Sequence, residues 1–243
     1  MKILRAFHAI YILLCFTILF AVFLPLLLIP IIFKKKYQLI GVFNRWWAHI
    51  FFTLTFFPKT VLVHPEIVRK NQYIFCPNHF SYLDIPTMGL NPVNSIFVGK
   101  NDMERIPLFG FMYKNLHITV DRESFKSRYA TVVKSSKAID EGKSLMIFPE
   151  GGIVSQKMPE MHRFKDGAFR IAIEKQIPIV PVTIPFNWII LPDESLLPRL
   201  HKLKVVFHKP INTEGLTLKD TSKLKQQTFD VINAELERHL NEN

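Results

Sequence analysis

An uncharged apolar run at residues 6–33 is the feature that most constrains what this chain can fold into. The run contains no Lys, Arg, Asp or Glu. As a helix it would be about 42 Å long, whereas the hydrocarbon core of a bilayer is about 30 Å thick. It is also longer than the apolar core of a signal peptide. We therefore expect a membrane-embedded helical segment, which Pro25 and Pro30 predict to be tilted, kinked or re-entrant.

Basic residues are concentrated beside this run. Residues 1–70 hold nine Lys or Arg and a single acidic residue, Glu66, in a chain of 243 residues with a formal net charge of +11. Positive charge next to apolar segments favours membrane lipids with anionic headgroups as partners. No basic run interleaved with aromatic residues follows, so we expect no nucleic acid. The lysines at 34–36 favour the cytoplasmic side of the cytoplasmic membrane for the rest of the chain.

A second apolar patch, residues 46–57, is too short to span a bilayer. It begins with Trp46 and Trp47, which suits a helix lying at headgroup level. The alternative is that both apolar segments are buried core helices of a soluble protein. The charge asymmetry and the length of the first run together favour the membrane.

The two cysteines, Cys15 and Cys76, lie in segments of different character. We do not expect them to form a disulfide, and neither has a second Cys at the spacing of a metal site. Cysteines that form neither a disulfide nor a metal site are typical of a protein in a reducing compartment, and we expect no bound metal ion.

From residue 58 onward, short apolar segments alternate with amphipathic ones. The strand-like segments are residues 60–64, 73–77, 95–100, 117–122, 144–150, 177–184 and 204–211. Helical patterns cover 124–142, 166–176 and 221–240. This alternation predicts an α/β fold with a mixed, largely parallel sheet flanked by helices. We place the boundary near residue 57, with membrane-anchoring helices at 1–57 and the α/β domain at 58–243.

A histidine and an aspartate follow the second of these strands, in the sequence NHFSYLD. His79 and Asp84 are five residues apart, so a tight turn can bring their side chains together at the carboxyl edge of the sheet. An imidazole can accept a hydroxyl proton, and a carboxylate on its other nitrogen fixes its tautomer. The alternative is a polar surface turn. As a turn residue at the lip of a site, this histidine is expected to bury little surface.

Further motifs follow in a characteristic order. They are IPLFG at 106–110, DR at 121–122, FPEGG at 148–152, FKDGA at 164–168 and VPV at 180–182. Together with NHFSYLD, this order resembles the glycerolipid acyltransferase family, and especially the bacterial 1-acylglycerol-3-phosphate acyltransferases. The likeness covers about residues 58–190. It implies acyl transfer from an acyl-CoA or acyl-carrier-protein thioester to a lipid hydroxyl, with no covalent acyl-enzyme and no cofactor.

The resemblance also implies roles for individual residues. His79 is expected to be the general base, Asp84 its orienting partner, and Lys100 a cation near the thioester carbonyl that stabilises the developing oxyanion. The residues expected to bind the acceptor are Arg122, Glu150, Gly151 and Lys165, the last through the acceptor's phosphate.

One departure from the family pattern concerns the acceptor. Many relatives continue FPEG with Thr-Arg, whereas this chain has Gly152 and Ile153. A phosphate ligand is therefore missing from its expected position, and a lyso-lipid with an amino-acid headgroup, as in ornithine or glycine lipids, is an alternative acceptor. A non-catalytic membrane lipid-binding protein is the alternative of another class. A metal-dependent hydrolase is the least favoured interpretation, because no second His lies at the spacing from His79 that a metal site requires.

Overall fold

A computed structural model describes residues 2–121, 124–155, 157–195 and 197–241 of the chain. Helix α1 (Lys2–Ile32) runs without interruption through both prolines and is about 46 Å long. A 3₁₀ turn at Lys34–Lys36 leads into α2 (Leu39–Leu54). His8 contacts the backbone of Thr55, and the ring of Phe16 packs on Phe51, so the two helices are antiparallel.

Only one side of α1 is buried. Leu19, Phe23 and Leu27, four residues apart along the helix, pack into the core. Ile18 and Val22, on the other side, are each 61% exposed. Within the described chain α1 is the one helix long and apolar enough to cross a membrane. An exposed apolar face of this length indicates membrane association, and the buried-core alternative is wrong for α1.

Helix α2 is more buried than its sequence indicates. Ala48 and Phe52 are fully buried, and Phe51 is nearly so. Trp46 is exposed, as a residue at headgroup level would be, but the ring of Trp47 stacks on Phe51 at 4.8 Å. The second apolar patch therefore serves largely as a packing surface between α1 and the sheet.

All seven predicted strands form, in one sheet. They are β1 (Lys59–Val63), β2 (Ile74–Pro77), β3 (Ser95–Lys100), β4 (Ile118–Val120), β5 (Ser144–Ile147), β6 (Ile179–Thr183) and β7 (Leu203–Phe207). Their order across the sheet is β1-β7-β6-β2-β5-β3-β4. Among the pairs of these seven strands in the described part of the chain, β6–β7 alone is antiparallel. The expected mixed, largely parallel sheet is confirmed.

The remaining helices cover this sheet. They are α3 (Asp84–Thr87), α4 (Phe109–Leu116), α5 (Phe125–Asp140), α6 (Gly167–Lys175), α7 (Asn187–Ile190) and α8 (Thr221–Asn241). The three helices expected from sequence are α5, α6 and α8. Strands β2 and β6 are buried along their whole length, as the near-continuous apolar runs of covered parallel strands require.

The strand directions gather the polar motifs at one edge. Because β6, β2, β5, β3 and β4 are mutually parallel, their carboxyl ends meet at the same edge of the sheet. The chain leaves β2 at Asn78, β5 at Phe148 and β6 at Ile184, and each exit leads into a polar segment. Buried residues of α1 and α2 join those of the sheet in one apolar cluster, and the proposed division near residue 57 stays a prediction.

We predict that charge on the exposed side of α1 will reduce membrane binding without unfolding the protein. The double variant Ile18→Lys/Val22→Lys places two cations where the apolar face is open, at a cost of about 2.5–3.5 kcal/mol for each lysine at the bilayer centre. Flotation with lipid vesicles should show weaker association. The melting temperature in detergent should stay close to that of the wild type.

Ile18→Leu/Val22→Leu is the matched apolar control and should float like the wild type. In contrast, Phe23→Ala should lower the melting temperature, because Phe23 is buried in the core. Release of the wild-type protein from vesicles by high salt would contradict this prediction, since salt weakens only electrostatic contacts.

Candidate active site

The exit of β2 is fixed by a buried asparagine. The side chain of Asn78 donates to the carbonyl of Ile184 (3.0 Å) and accepts the N–H of the same residue (2.7 Å). These two bonds tie the end of β2 to the end of β6, and Asn78 is fully buried. The backbone from which His79 projects is therefore held by the sheet itself.

His79 and Asp84 meet in the turn that follows. The distance between His79 Nδ1 and Asp84 Oδ2 is 3.0 Å. The same Oδ2 atom accepts the backbone N–H groups of Phe80 (2.7 Å) and Ser81 (2.9 Å), so the carboxylate also closes the turn. An ionised carboxylate only accepts hydrogen bonds, so Nδ1 carries the proton and Nε2 keeps its lone pair.

Asn187 completes the surroundings of Asp84, and the sequence interpretation did not include it. Its side-chain nitrogen donates to Asp84 Oδ1 (2.9 Å) and to Thr87 Oγ1 (2.9 Å). Asn187 is fully buried at the start of α7, just beyond β6. The sequence could have indicated Asn187 only by its position just after β6, which ends at the same edge of the sheet as β2. No familiar motif marks this residue.

The imidazole of His79 is buried, contrary to the expectation from sequence. Only 7% of the residue is exposed, because its ring stacks on Phe148 with the centroids 4.0 Å apart. Phe148 follows β5, the strand next to β2. The histidine is therefore a packed element of the site and not part of an exposed lip.

Glu150 binds the same turn from the other side. Its Oε1 accepts the backbone N–H of His79 (2.7 Å), and its Oε2 accepts that of His162 (2.9 Å). The pKa of Glu150 is raised to about 7, chiefly by burial and to a smaller extent by the charge of Asp84, while the two N–H groups act in the opposite direction. Both oxygens are thus engaged with backbone amides, and the expected contact of Glu150 with the acceptor stays a prediction.

Gly151 and Lys165, two of the residues expected to bind the acceptor, lie together, and their role in binding stays a prediction. Gly151 has a φ of +83°, a conformation that favours glycine, and a Cβ there would collide with the side chain of Lys165. Lys165 also donates its backbone N–H to the carbonyl of Pro149 (2.8 Å). The glycine therefore gives the lysine room to cross the loop after β5.

Lys100, another expected site residue, is not drawn into this cluster. Lys100 ends β3, two strands away from β2, and its half-exposed ammonium pairs with Asp102. Arg122 lies outside the described residues. Within the described ranges, no group of three His, Cys, Asp or Glu side chains could hold a metal ion.

We predict that Glu150 makes stability depend on pH. Its pKa is raised in the folded protein, so its contribution to stability is complete below the ordinary Glu pKa of 4.5 and is lost as pH rises through about 7. The loss is about 3 kcal/mol in the free energy of unfolding. Thermal melting between pH 4.5 and 7 should therefore show a decline that Glu150→Gln reduces.

Glu174→Gln, at an exposed position of α6, is the matched control and should keep the wild-type dependence. Parallel pH curves for the wild type and Glu150→Gln would show that Glu150 does not titrate in this range.

Comparison with known proteins agrees with the fold and the motifs. A relative from Mycoplasma pneumoniae, named a probable 1-acyl-sn-glycerol-3-phosphate acyltransferase, is 27% identical over 82% of this chain and 76% of its own length. The 1-acyl-sn-glycerol-3-phosphate acyltransferase of Saccharomyces cerevisiae is 31% identical over 70% of this chain and 59% of its own length. The crystal structure of the 1-acyl-sn-glycerophosphate (LPA) acyltransferase PlsC from Thermotoga maritima matches with a TM-score of 0.77 at 19% identity. That match covers 96% of this chain and 97% of the other.

The model of the acyltransferase family matches residues 60–185, slightly more than half of the chain. The matched range includes His79, Asp84, Glu150 and Lys165. This chain is therefore an enzyme that belongs to the acyltransferase family.

Proposed function

We propose that this enzyme transfers a fatty acyl group from an acyl thioester to the free hydroxyl of a lysophospholipid, converting 1-acylglycerol-3-phosphate to phosphatidic acid. The observation that carries the proposal is the buried His79–Asp84 pair, whose hydrogen bond leaves Nε2 able to accept a proton. The names of the relatives support this acceptor. The donor is an acyl-CoA or an acyl-carrier protein, and no further cofactor takes part.

The reaction needs a base because an alcohol is almost entirely protonated near neutral pH. Nε2 of His79 removes the hydroxyl proton while the oxygen attacks the thioester carbonyl. Asp84 stabilises the imidazolium that forms. The tetrahedral intermediate then collapses, the C–S bond breaks, and the imidazolium returns the proton to the leaving thiolate. No acyl group is attached to the enzyme at any stage.

Cationic side chains have the remaining roles in this proposal. Lys100 stabilises the oxyanion once the thioester displaces Asp102 from its ammonium group. Lys165, beside Gly151, and Arg122 bind the phosphate of the acceptor, which compensates for the absence of an arginine at position 153.

The helical hairpin determines where the reaction takes place. The exposed apolar side of α1 enters the bilayer, and Lys34–Lys36 at its end lie among the headgroups of the cytoplasmic face. The catalytic domain then lies on the cytoplasmic surface, where a lyso-lipid reaches the site without leaving the membrane.

We predict that His79→Gln reduces acyl transfer by about 10²–10⁴-fold, because the variant lacks a base at Nε2. The loss of ring stacking on Phe148 and of the hydrogen bond to Asp84 should lower the free energy of unfolding by about 1–3 kcal/mol. Asp84→Asn should reduce turnover by a similar factor, because no charge then stabilises the imidazolium. Transfer of radiolabelled acyl groups and thermal melting should be measured on the same preparations.

The assay should offer 1-acylglycerol-3-phosphate and an ornithine-type lyso-lipid in parallel. Transfer only to the second would identify an amino-acid-headgroup acceptor and reject the phosphorylated one. Near-wild-type turnover by folded His79→Gln would show that the turn is structural. Binding of lyso-lipid with no thioester turnover in any arm would indicate a non-catalytic lipid-binding protein.

We also predict that Asn187 positions Asp84 for the reaction. Asn187→Leu should lower kcat about tenfold and the free energy of unfolding by about 1–3 kcal/mol, because Asp84 Oδ1 stays buried without its donor. Asn187→Asp should be worse at neutral pH, since it places a second carboxylate against Asp84.

The pH dependence of the activity distinguishes a positioning role of Asn187 from a general effect on stability. At lower pH the new carboxyl group of Asn187→Asp becomes protonated and can donate to Asp84 in place of the amide. Its activity relative to the wild type should therefore rise as pH falls, whereas that of Asn187→Leu should not. The same pH response in both variants would reduce Asn187 to a packing role.

A further inference from the structure

Arg5 is a cation in the first turn of the apolar helix α1, where it does not stabilise the helix itself. The amino end of a helix carries partial positive charge, so a cation there is unfavourable. The first turn holds no acidic residue to balance it. The guanidinium of Arg5 instead donates to two backbone carbonyls far along the chain, that of Leu197 and that of Pro198 (3.1 Å). These bonds tie α1 to the loop between α7 and β7.

Arg5 belongs to a stripe of polar side chains on α1 that bind backbone carbonyls. His8 and Tyr11, three and six residues later, contact the carbonyls of Thr55 (3.1 Å) and Leu54 (3.0 Å) at the end of α2. Those two contacts close the helical hairpin. Arg5 reaches past α2 into the α/β domain, so of the three contacts it is the one that joins α1 to the loop after α7.

The contact of Arg5 lies at the same edge of the sheet as His79. Strand β7 is antiparallel to β6, so it begins at the edge where β6 ends. Strand β1 is parallel to β7 and begins there as well, just after the end of α2. The amino end of α1 is therefore beside the carboxyl edge, where the chain passes from β6 through α7 and back to β7.

The loop that Arg5 binds is itself bonded to α7. The backbone N–H of Arg199 in this loop donates to the carbonyl of Ile190 at the end of α7 (2.7 Å). The next carbonyl along the chain, that of Leu191, accepts the hydroxyl of Ser81 in the NHFSYLD turn (2.7 Å). The end of α7 is thus held by the loop on one side and by the turn on the other.

Helix α7 is a single turn, so its two ends cannot move independently. Its start is fixed by Phe186, whose ring lies against those of His201 (4.9 Å) and His239 (5.3 Å). Asn187 follows directly and donates to Asp84 Oδ1 at 2.9 Å. A shift of about 0.5 Å at this position would stretch the bond beyond the usual range of hydrogen-bond lengths. Movement of the loop after α7 would therefore weaken the contact with Asp84.

We propose that Arg5 is a positioning residue for acyl transfer, one that transmits the placement of α1 to the His79–Asp84 pair. By holding the loop after α7, Arg5 keeps Asn187 against Asp84 and so keeps the imidazole of His79 oriented. The catalytic consequence rests on the proposed function. Turnover then depends on the seating of α1, the helix with the exposed apolar side, as well as on the residues that contact substrate.

Arg5→Met tests this inference, because it removes the guanidinium and keeps a long side chain. It should lower kcat about tenfold, as expected for Asn187→Leu, and change the KM of either substrate by less than about twofold, because no substrate contact is lost. Arg5→Lys keeps a cationic donor and should recover part of the lost kcat. Two matched controls should behave like the wild type: Lys2→Met, which removes an exposed charge from the same turn, and Tyr11→Phe, which removes a hydroxyl from the same stripe.

The double variant with Asn187→Leu distinguishes positioning from a general loss of stability. If Arg5 acts through Asn187, adding Arg5→Met to Asn187→Leu should leave kcat nearly unchanged, whereas the two decreases in melting temperature should add. Multiplication of the two kcat losses would overturn the proposal. So would wild-type kcat in folded Arg5→Met.

Hydrogen exchange of the full-length protein in detergent, followed by mass spectrometry, tests the same link without turnover. The amides of residues 186–191 should exchange faster in Arg5→Met than in the wild type, Lys2→Met or Tyr11→Phe. Such a result supports the link even if no lyso-lipid is acylated, in which case only the proposed function fails. Unchanged exchange at 186–191 would overturn the proposal whatever the turnover. If Arg5→Met then also floats less with vesicles containing phosphatidylglycerol, Arg5 binds lipid headgroups instead.

Discussion

The carboxylate of Asp84 is the interaction on which the site depends. It is fully buried and receives hydrogen bonds from the ring of His79, from two backbone amides of its own turn and from Asn187. A buried charge is tolerated only when such donors surround it, so the turn, the ring and the start of α7 must adopt one arrangement together. The spacing in NHFSYLD thus determines the shape of the loop as well as the tautomer of the histidine.

His79 is held between two carboxylates that act on different parts of it. Asp84 binds the ring, whereas Glu150 binds the backbone N–H and, through His162, ties the turn to the segment that leads to Lys165. Because burial raises the pKa of Glu150 to about 7, this second carboxylate is near its own titration at neutral pH. The FPEG motif is therefore part of the frame around the histidine, in addition to any contact with substrate.

The sequence was sufficient for the seven strands, for α5, α6 and α8 and for the pairing of His79 with Asp84, but it did not indicate the short helices α3, α4 and α7. Alternation of apolar residues identifies a strand whatever its direction, so the seven strands could be predicted but the antiparallel β6–β7 pair could not. Asn187 was missed because it is 103 residues from Asp84 and becomes its neighbour only through the order of the strands. The burial of His79 has the same origin, since Phe148 reaches it from an adjacent strand.

The sheet separates two chemical environments, and this accounts for the position of the site. On one face lies the hairpin of α1 and α2, whose exposed apolar side suits a bilayer. On the other lies a cavity with a cationic mouth. In the proposed reaction a lipid acceptor and a water-soluble carrier must bring one oxygen and one carbonyl carbon into contact. At the carboxyl edge the ring of His79 stacks on Phe148, which is a wall of that cavity, and Lys165 lines the same cavity. The proposed base and the proposed ligand of the acceptor's phosphate therefore border one space at the edge of the sheet, where the oxygen and the carbonyl carbon can meet.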